Sequence, residues 1–163
     1  MYRIGIITVS DKGSRGERVD ESGPAIREMV KSLGEVTSYM VVPDDLVLLR
    51  EALISLADRE RLDLVFTTGG TGLSSRDNTP EATLAVVQKQ VPGLAEAMRA
   101  ESLKKTNRAM LSRAVAGIRK NTLIINLPGS VKAVRECLEV IMPALPHGLE
   151  ILTGRGGECG SAE

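Results

Sequence analysis

The chain has 163 residues, 42% of them hydrophobic and 26% charged, the size and balance of one folded domain rather than of a disordered or collagen-like chain. Its 21 Lys and Arg match its 21 Asp and Glu, and it holds no Trp, one Phe and two Tyr, so it lacks both the basic field and the stacking aromatics of a nucleic-acid binder. A single His and two Cys exclude a His/Cys zinc cage, which leaves oxygen ligands for any metal.

Ile4, Ile6, Ile7 and Val9 predict a buried strand that ends at Ser10 and is followed by Asp11-Lys12-Gly13. Pro24 sits in the first turn of a helix whose apolar face is Ile26, Met29, Val30 and Leu33, with Gly34 as its stop. Val36 to Val42 reads as the second strand, Asp45 as an N-cap, and Leu46, Leu49, Leu53 and Leu56 as a helical face. Leu62 to Thr67 is the third strand, and a Gly-rich loop from Gly69 to Asn78 leads to a helix capped by Thr79 that runs to about Gln90.

After Pro92-Gly93, a helical region is expected to about Lys120, because Leu111, Ala114, Val115 and Ile118 fall at helical spacing. Leu123 to Leu127 is the last strand, and Val131, Val134, Leu138 and Ile141 face a final helix interrupted by Pro143 and Pro146. Met29, Met98, Met110 and Met142 read as core filling on these helices. Strands alternating with helices predict an α/β fold, a mostly parallel sheet covered on both faces. One domain over 1–153 and a Gly-rich, flexible tail over 154–163 are expected.

Cys137 and Cys159 lack CxxC spacing, and the N-terminal stretch reads as a strand rather than a signal peptide, so a cytoplasmic protein with reduced thiols is expected, with no membrane span. Positive charge gathers between Arg99 and Lys120, which reads either as an anion-attracting surface or as a solvated helix face.

In an open parallel sheet, ligands bind beyond the carboxyl ends of the strands, so four loops carry the candidates. Gly69, Gly70 and Gly72 lack Cβ and let backbone N–H groups approach an anion, while Thr68 and Thr71 add hydroxyls; a tight strand-to-helix turn is the other reading. The loop matches neither GxxxxGK[ST] nor GxGxxG at a strand-to-helix junction. Asp44 and Asp77 end a strand and precede a helix, where a carboxylate can hold Mg²⁺ on a polyphosphate or bond a local turn. Ser10 and Asp11 form either a ligand contact or a turn. Gly129 and Ser130, with Lys132, either meet an anion or cap a helix. His147 lies away from these loops.

With these residues placed, TVSDKG at Thr8 to Gly13, VPDD at Val42 to Asp45, TTGGTG at Thr67 to Gly72, RDNTPEAT at Arg76 to Thr83 and NLPGS at Asn126 to Ser130 together resemble the Mog/MoaB family of molybdenum cofactor biosynthesis. The resemblance covers almost the whole chain. It implies a three-layer α/β/α domain, a homotrimer, and adenylylation of molybdopterin by Mg²⁺-ATP with release of pyrophosphate, ahead of a molybdate-insertion enzyme. On this resemblance Asp44 and Asp77 match the essential acidic positions, and Mg²⁺ is expected on Asp44 or Asp77. Ser10, Asp11, Thr68, Gly69, Gly70, Thr71, Gly72, Arg76, Thr79, Pro80, Glu81, Gly129, Ser130 and Lys132 are the expected pterin- and nucleotide-binding positions. The last loop reads PGSVKA where many adenylyltransferase members read PGxP, and PGS occurs in MoaB-type relatives. The alternative is therefore a MoaB-type pterin-binding protein without adenylyltransferase activity.

Overall fold

A computed structural model describes residues 1–156. The elements run β1 (Tyr2–Val9), α1 (Asp11–Ser14), α2 (Ser22–Met29), β2 (Gly34–Val42), α3 (Leu46–Ile54), β3 (Leu64–Thr68), α4 (Thr79–Val86), β4 (Lys89–Gln90), α5 (Pro92–Leu103), β5 (Ala116–Arg119), β6 (Thr122–Leu127), α6 (Val131–Ile141) and α7 (Leu145–Thr153). A π-helical turn, Ser55–Arg59, extends α3, and a 3₁₀ turn, Asn107–Leu111, follows α5. They form one six-stranded sheet in the order β2-β1-β3-β6-β5-β4. The first four of these strands are parallel, while β5 and β4 run antiparallel at one edge.

Side chains alternate across a strand, and here the alternation divides the core in two. Ile4, Ile6, Leu64, Phe66, Leu123 and Ile125 pack under α2, α5, α6 and α7. Ile7, Val9, Val65 and Ile124 pack on the other face against Leu49, Leu53 and Leu56 of the α3 region and Ala82 and Val86 of α4. The layers are therefore helix, sheet, helix. Among the described residues no helix is long and apolar enough to cross a membrane.

The helical region expected to reach Lys120 stops at Leu103, and Ala116–Arg119 is a strand instead. The stretch carries two periods. Ala114, Ala116 and Ile118 also alternate, and Arg119 pairs with Thr122 across a two-residue turn in which Lys120 takes φ 52, so pairing with β6 decides the outcome. Leu111, expected on a buried helical face, is 50% exposed. For the same reason α4 ends at Val86 rather than near Gln90, since Lys89–Gln90 adds to β5. The α2 helix ends at Met29, and Gly34 already opens β2. Met110 is exposed rather than core-filling, whereas Met98 is buried. Cys137 is buried and has no disulfide partner among the described residues, and Cys159 lies outside them, as does the tail from 157.

Candidate active site at the switch point of the sheet

From β1 the chain crosses to β2 on one side, while β3 pairs on the other side of β1, so the strand order reverses between β1 and β3. A crevice opens at such a point, beyond the carboxyl ends of the strands. A cleft of about 620 Å³ lies there, lined by the expected Ser10, Thr68, Gly69, Gly129 and Ser130. Thr8, Arg18, Asp20 and Ser22, which were not among the expected positions, line it too.

The glycine loop turns its carbonyls inward. Gly69 N–H donates to Leu127 O at 3.2 Å, Thr79 N–H to Gly70 O at 3.1 Å, and the Thr79 hydroxyl to Gly69 O at 2.9 Å. Among the described residues the N–H groups of Gly70, Thr71 and Gly72 have no protein acceptor, which leaves three donors for an anion. Gly69 has φ 95 and Gly70 φ 70, and a Cβ on Gly70 would stand 2.2 Å from Thr79 Oγ1, so only glycine fits there. Thr79 and Pro80 are buried beneath this loop. The residue at the cap position of α4 is Asn78 rather than the expected Thr79, whose hydroxyl is committed to the loop.

Beside the glycine loop the carboxylates form a second group. Asp44 Oδ2 accepts from the Asp11 N–H at 3.2 Å, and Asp11 Oδ1 accepts from the Asp44 N–H at 3.0 Å. Arg76 adds two bonds to the Asp11 carboxylate, at 3.0 and 2.9 Å. These contacts tie the loops after β1, β2 and β3 together, and they occupy Arg76 on Asp11. Arg76 holds the Asp11 carboxyl below its ordinary range, chiefly through these hydrogen bonds. Asp44 is pushed upward, first by burial and then by the charges of Asp11 and Asp77. Asp77 Oδ2 accepts from the Ser74 N–H at 2.9 Å. The expected N-cap Asp45 accepts from Leu48 N–H at 2.9 Å, which leaves Asp44 to the site.

Asp44 and Asp77 thus each keep one carboxylate oxygen without a protein donor among the described residues. No three His, Cys, Asp or Glu among the described residues are arranged to hold a metal by themselves. Two partly free carboxylates beside an anion cradle suit Mg²⁺, which is commonly bound through one or two carboxylates together with substrate phosphates and water.

Four structural residues were not foreseen. Asn126 is fully buried and donates to the Thr67 and Thr83 hydroxyls, both at 2.9 Å, while its Oδ1 accepts from Val115 N–H. Arg113 donates to Gly72 O at 2.8 Å, to Asp77 O at 2.9 Å and to the Glu81 carboxylate. Asp20 accepts from Thr8 Oγ1, from the Tyr39 hydroxyl and from the N–H groups of Ser22 and Gly23 at the start of α2. Ser22 in turn donates to Gly129 O at 2.8 Å, so Asp20 braces the cleft wall. The local clue to Asp20 was its place just ahead of a helix start.

The Tyr39 phenol is pushed up to about 12, by burial first and by Asp20 second. A raised folded value means that the neutral phenol stabilises the fold at pH below its ordinary value of 10.0, and that this contribution is lost as pH rises through about 12. In a Tyr2→Phe background, Asp20→Asn is expected to bring the phenolate absorbance titration part of the way back toward ordinary. An unchanged titration would mean that Asp20 does not act on Tyr39.

The remaining expected positions fall outside these groups. Lys132 is exposed on the first turn of α6 and makes no hydrogen bond or ion pair among the described residues. His147 is exposed on α7. Most of the positive run is engaged internally: Arg99 bonds Ala114 O, Arg119 pairs with Asp58, and Lys104 and Lys105 pair with Glu101 and Glu136.

Residues 5–147 match the family model described as probable molybdopterin binding domain. The chain belongs to this family. It is 47% identical over 154 residues to the molybdopterin adenylyltransferase of Helicobacter pylori J99, covering 93% of this chain and 88% of that protein. It is 41% identical to the molybdopterin adenylyltransferase of Escherichia coli K12, covering 90% of this chain and 79% of that protein. Among solved structures, the molybdopterin biosynthesis enzyme MoaB of Thermus thermophilus superposes with a TM-score of 0.89 at 55% identity, covering 94% of this chain and 98% of that one.

Proposed function

We propose that this protein is a molybdopterin adenylyltransferase, which transfers the adenylyl group of Mg²⁺-ATP to molybdopterin and releases pyrophosphate. The observation that carries the reading is the pairing of a glycine loop offering three free N–H groups with two carboxylates, Asp44 and Asp77, that each retain an open oxygen. The names of the similar proteins from H. pylori and E. coli support it. In the reaction, a terminal phosphate oxygen of molybdopterin bonds to the α-phosphorus of ATP as the bond to the pyrophosphate oxygen breaks. The nucleophile is already anionic, so alignment and charge neutralisation replace a general base, and a site without a histidine suffices.

Each group of residues has a task in this scheme. The Gly70, Thr71 and Gly72 N–H groups would hold phosphate oxygens, and the cleft lined by Ser10, Thr68, Gly129 and Ser130 would take the pterin. Asp44 and Asp77 would hold Mg²⁺, which supplies charge stabilisation to the leaving pyrophosphate. Arg76 would hold Asp11 in line with Asp44 and keep its charge masked. We place the reaction in the cytoplasm, in a homotrimer that passes its product to a molybdate-insertion enzyme; the support is the sequence resemblance. The alternative of pterin binding without turnover is not favoured, because both carboxylates are present beside the cradle.

The test is pyrophosphate release by the purified protein from Mg²⁺-ATP, with and without molybdopterin. Release that requires molybdopterin is expected. Molybdopterin binding with no pyrophosphate above background would remove the adenylyltransferase reading.

A further inference from the structure

Resting on the adenylyl-transfer reading, we propose that Arg113 is a positioning residue for the reaction: its guanidinium sets the glycine loop and Asp77 from behind, and Glu81 sets the guanidinium. Arg113 stands between the 3₁₀ turn and β5, well removed in sequence from the loop it holds. Nε bonds Gly72 O at 2.8 Å, one terminal nitrogen bonds Asp77 O at 2.9 Å, and the other meets the Glu81 carboxylate. The Arg113 backbone N–H adds a bond to Thr71 O at 2.9 Å.

A guanidinium presents its donors in a rigid plane, so contacts to Gly72 and Asp77 fix the distance between the two ends of that segment. Pinning the Asp77 carbonyl while Ser74 N–H holds Oδ2 leaves Oδ1 as the one open oxygen of that carboxylate. A loop with several glycines loses much conformational entropy on ordering, and Arg113 meets that loss before substrate arrives. Arg113 does not line the 620 Å³ cleft, so its effect belongs to the nucleotide and metal end of the site.

Arg113→Ala is expected to lower kcat by about 10²-fold, the loss typical of misplacing a reacting group by about an ångström. The ATP and Mg²⁺ half-saturation points should rise, and the KM for molybdopterin should stay unchanged. Arg113→Lys keeps the charge but presents all its donors from a single nitrogen, so it should remain impaired, whereas guanidinium ion added to Arg113→Ala should restore part of the rate. Hydrogen exchange at the Ser74, Asp77 and Thr79 amides, each bonded within or across the loop, should accelerate in Arg113→Ala and not in Arg108→Ala.

Wild-type kcat in Arg113→Ala, full activity in Arg113→Lys, or unaltered amide exchange would each overturn the proposal. If Arg113→Ala does not fold, Glu81→Gln gives the second reading: a several-fold loss of kcat with faster exchange supports the proposal, and wild-type values overturn it. If the wild-type protein releases no pyrophosphate, the transfer reading fails by itself, and the exchange comparison still decides whether Arg113 positions the loop.

Discussion

Asp77→Ala is expected to lower molybdopterin-dependent pyrophosphate release by about 10²- to 10³-fold, the usual cost of removing one preorganised electrostatic group from a transition state that gathers charge. Two causes could produce such a loss, because Asp77 both presents a carboxylate oxygen and accepts the Ser74 N–H at 2.9 Å. Asp77→Asn separates them. Its amide oxygen still accepts from Ser74 while the charge is gone, so it should be nearly as inactive as Asp77→Ala if the charge matters and close to wild type if the turn matters. The check is a pyrophosphate assay at saturating Mg²⁺-ATP, with thermal melting to confirm that all three proteins are folded. Near wild-type release from Asp77→Ala would show that Asp77 has no part in the chemistry.

The second large effect is on stability. Asn126 is fully buried between the Thr67 and Thr83 hydroxyls and the Val115 N–H, and it joins β6, β3, α4 and the entry to β5. Asn126→Ala takes away the partner of the Thr67 hydroxyl and of the Val115 N–H, while the Thr83 hydroxyl keeps its bond to Thr79 O; with about 1–3 kcal/mol for each group left without a partner, partly relieved by relaxation, a loss of about 2–4 kcal/mol is expected. Asn126→Asp should be worse at neutral pH, since an ionised carboxylate at this position cannot donate to either threonine. It should recover as pH falls and the carboxyl regains a proton. Urea unfolding midpoints measure both effects. A shift of less than about 0.5 kcal/mol for Asn126→Ala, well inside the range of an ordinary surface change, would mean that the network adds nothing to stability.

The parallel part of the fold was readable because local signals and global packing agree there. β1, β3 and β6 are β-branched runs that end in polar loops, and Asp45 caps α3 as its position predicts. The antiparallel edge was not readable. Ala114 to Ile118 satisfies a helical and a strand period at once, and only pairing with β6 chooses between them, which no local window contains. The site divides in the same way. Asp44, Gly69, Gly70 and Asp77 follow strands in sequence, so the topology delivers them to one edge. Arg113 acts on carbonyls 41 and 36 positions away, and Asp20 meets Tyr39 only because β2 lies beside β1.

The inward-turned carbonyls of the glycine loop carry a consequence for how this protein tolerates change. In the proposed reaction its hold on a phosphate would reside in main-chain N–H groups that every amino acid but proline possesses, so truncating a side chain cannot delete them. Alanine at Asp44 or Asp77 removes a functional group, whereas no substitution by alanine in the loop removes one of these N–H groups. That part of the site is vulnerable only to a change of backbone shape, and Gly70, with no room for a methyl group beside Thr79, is where such a change would register first.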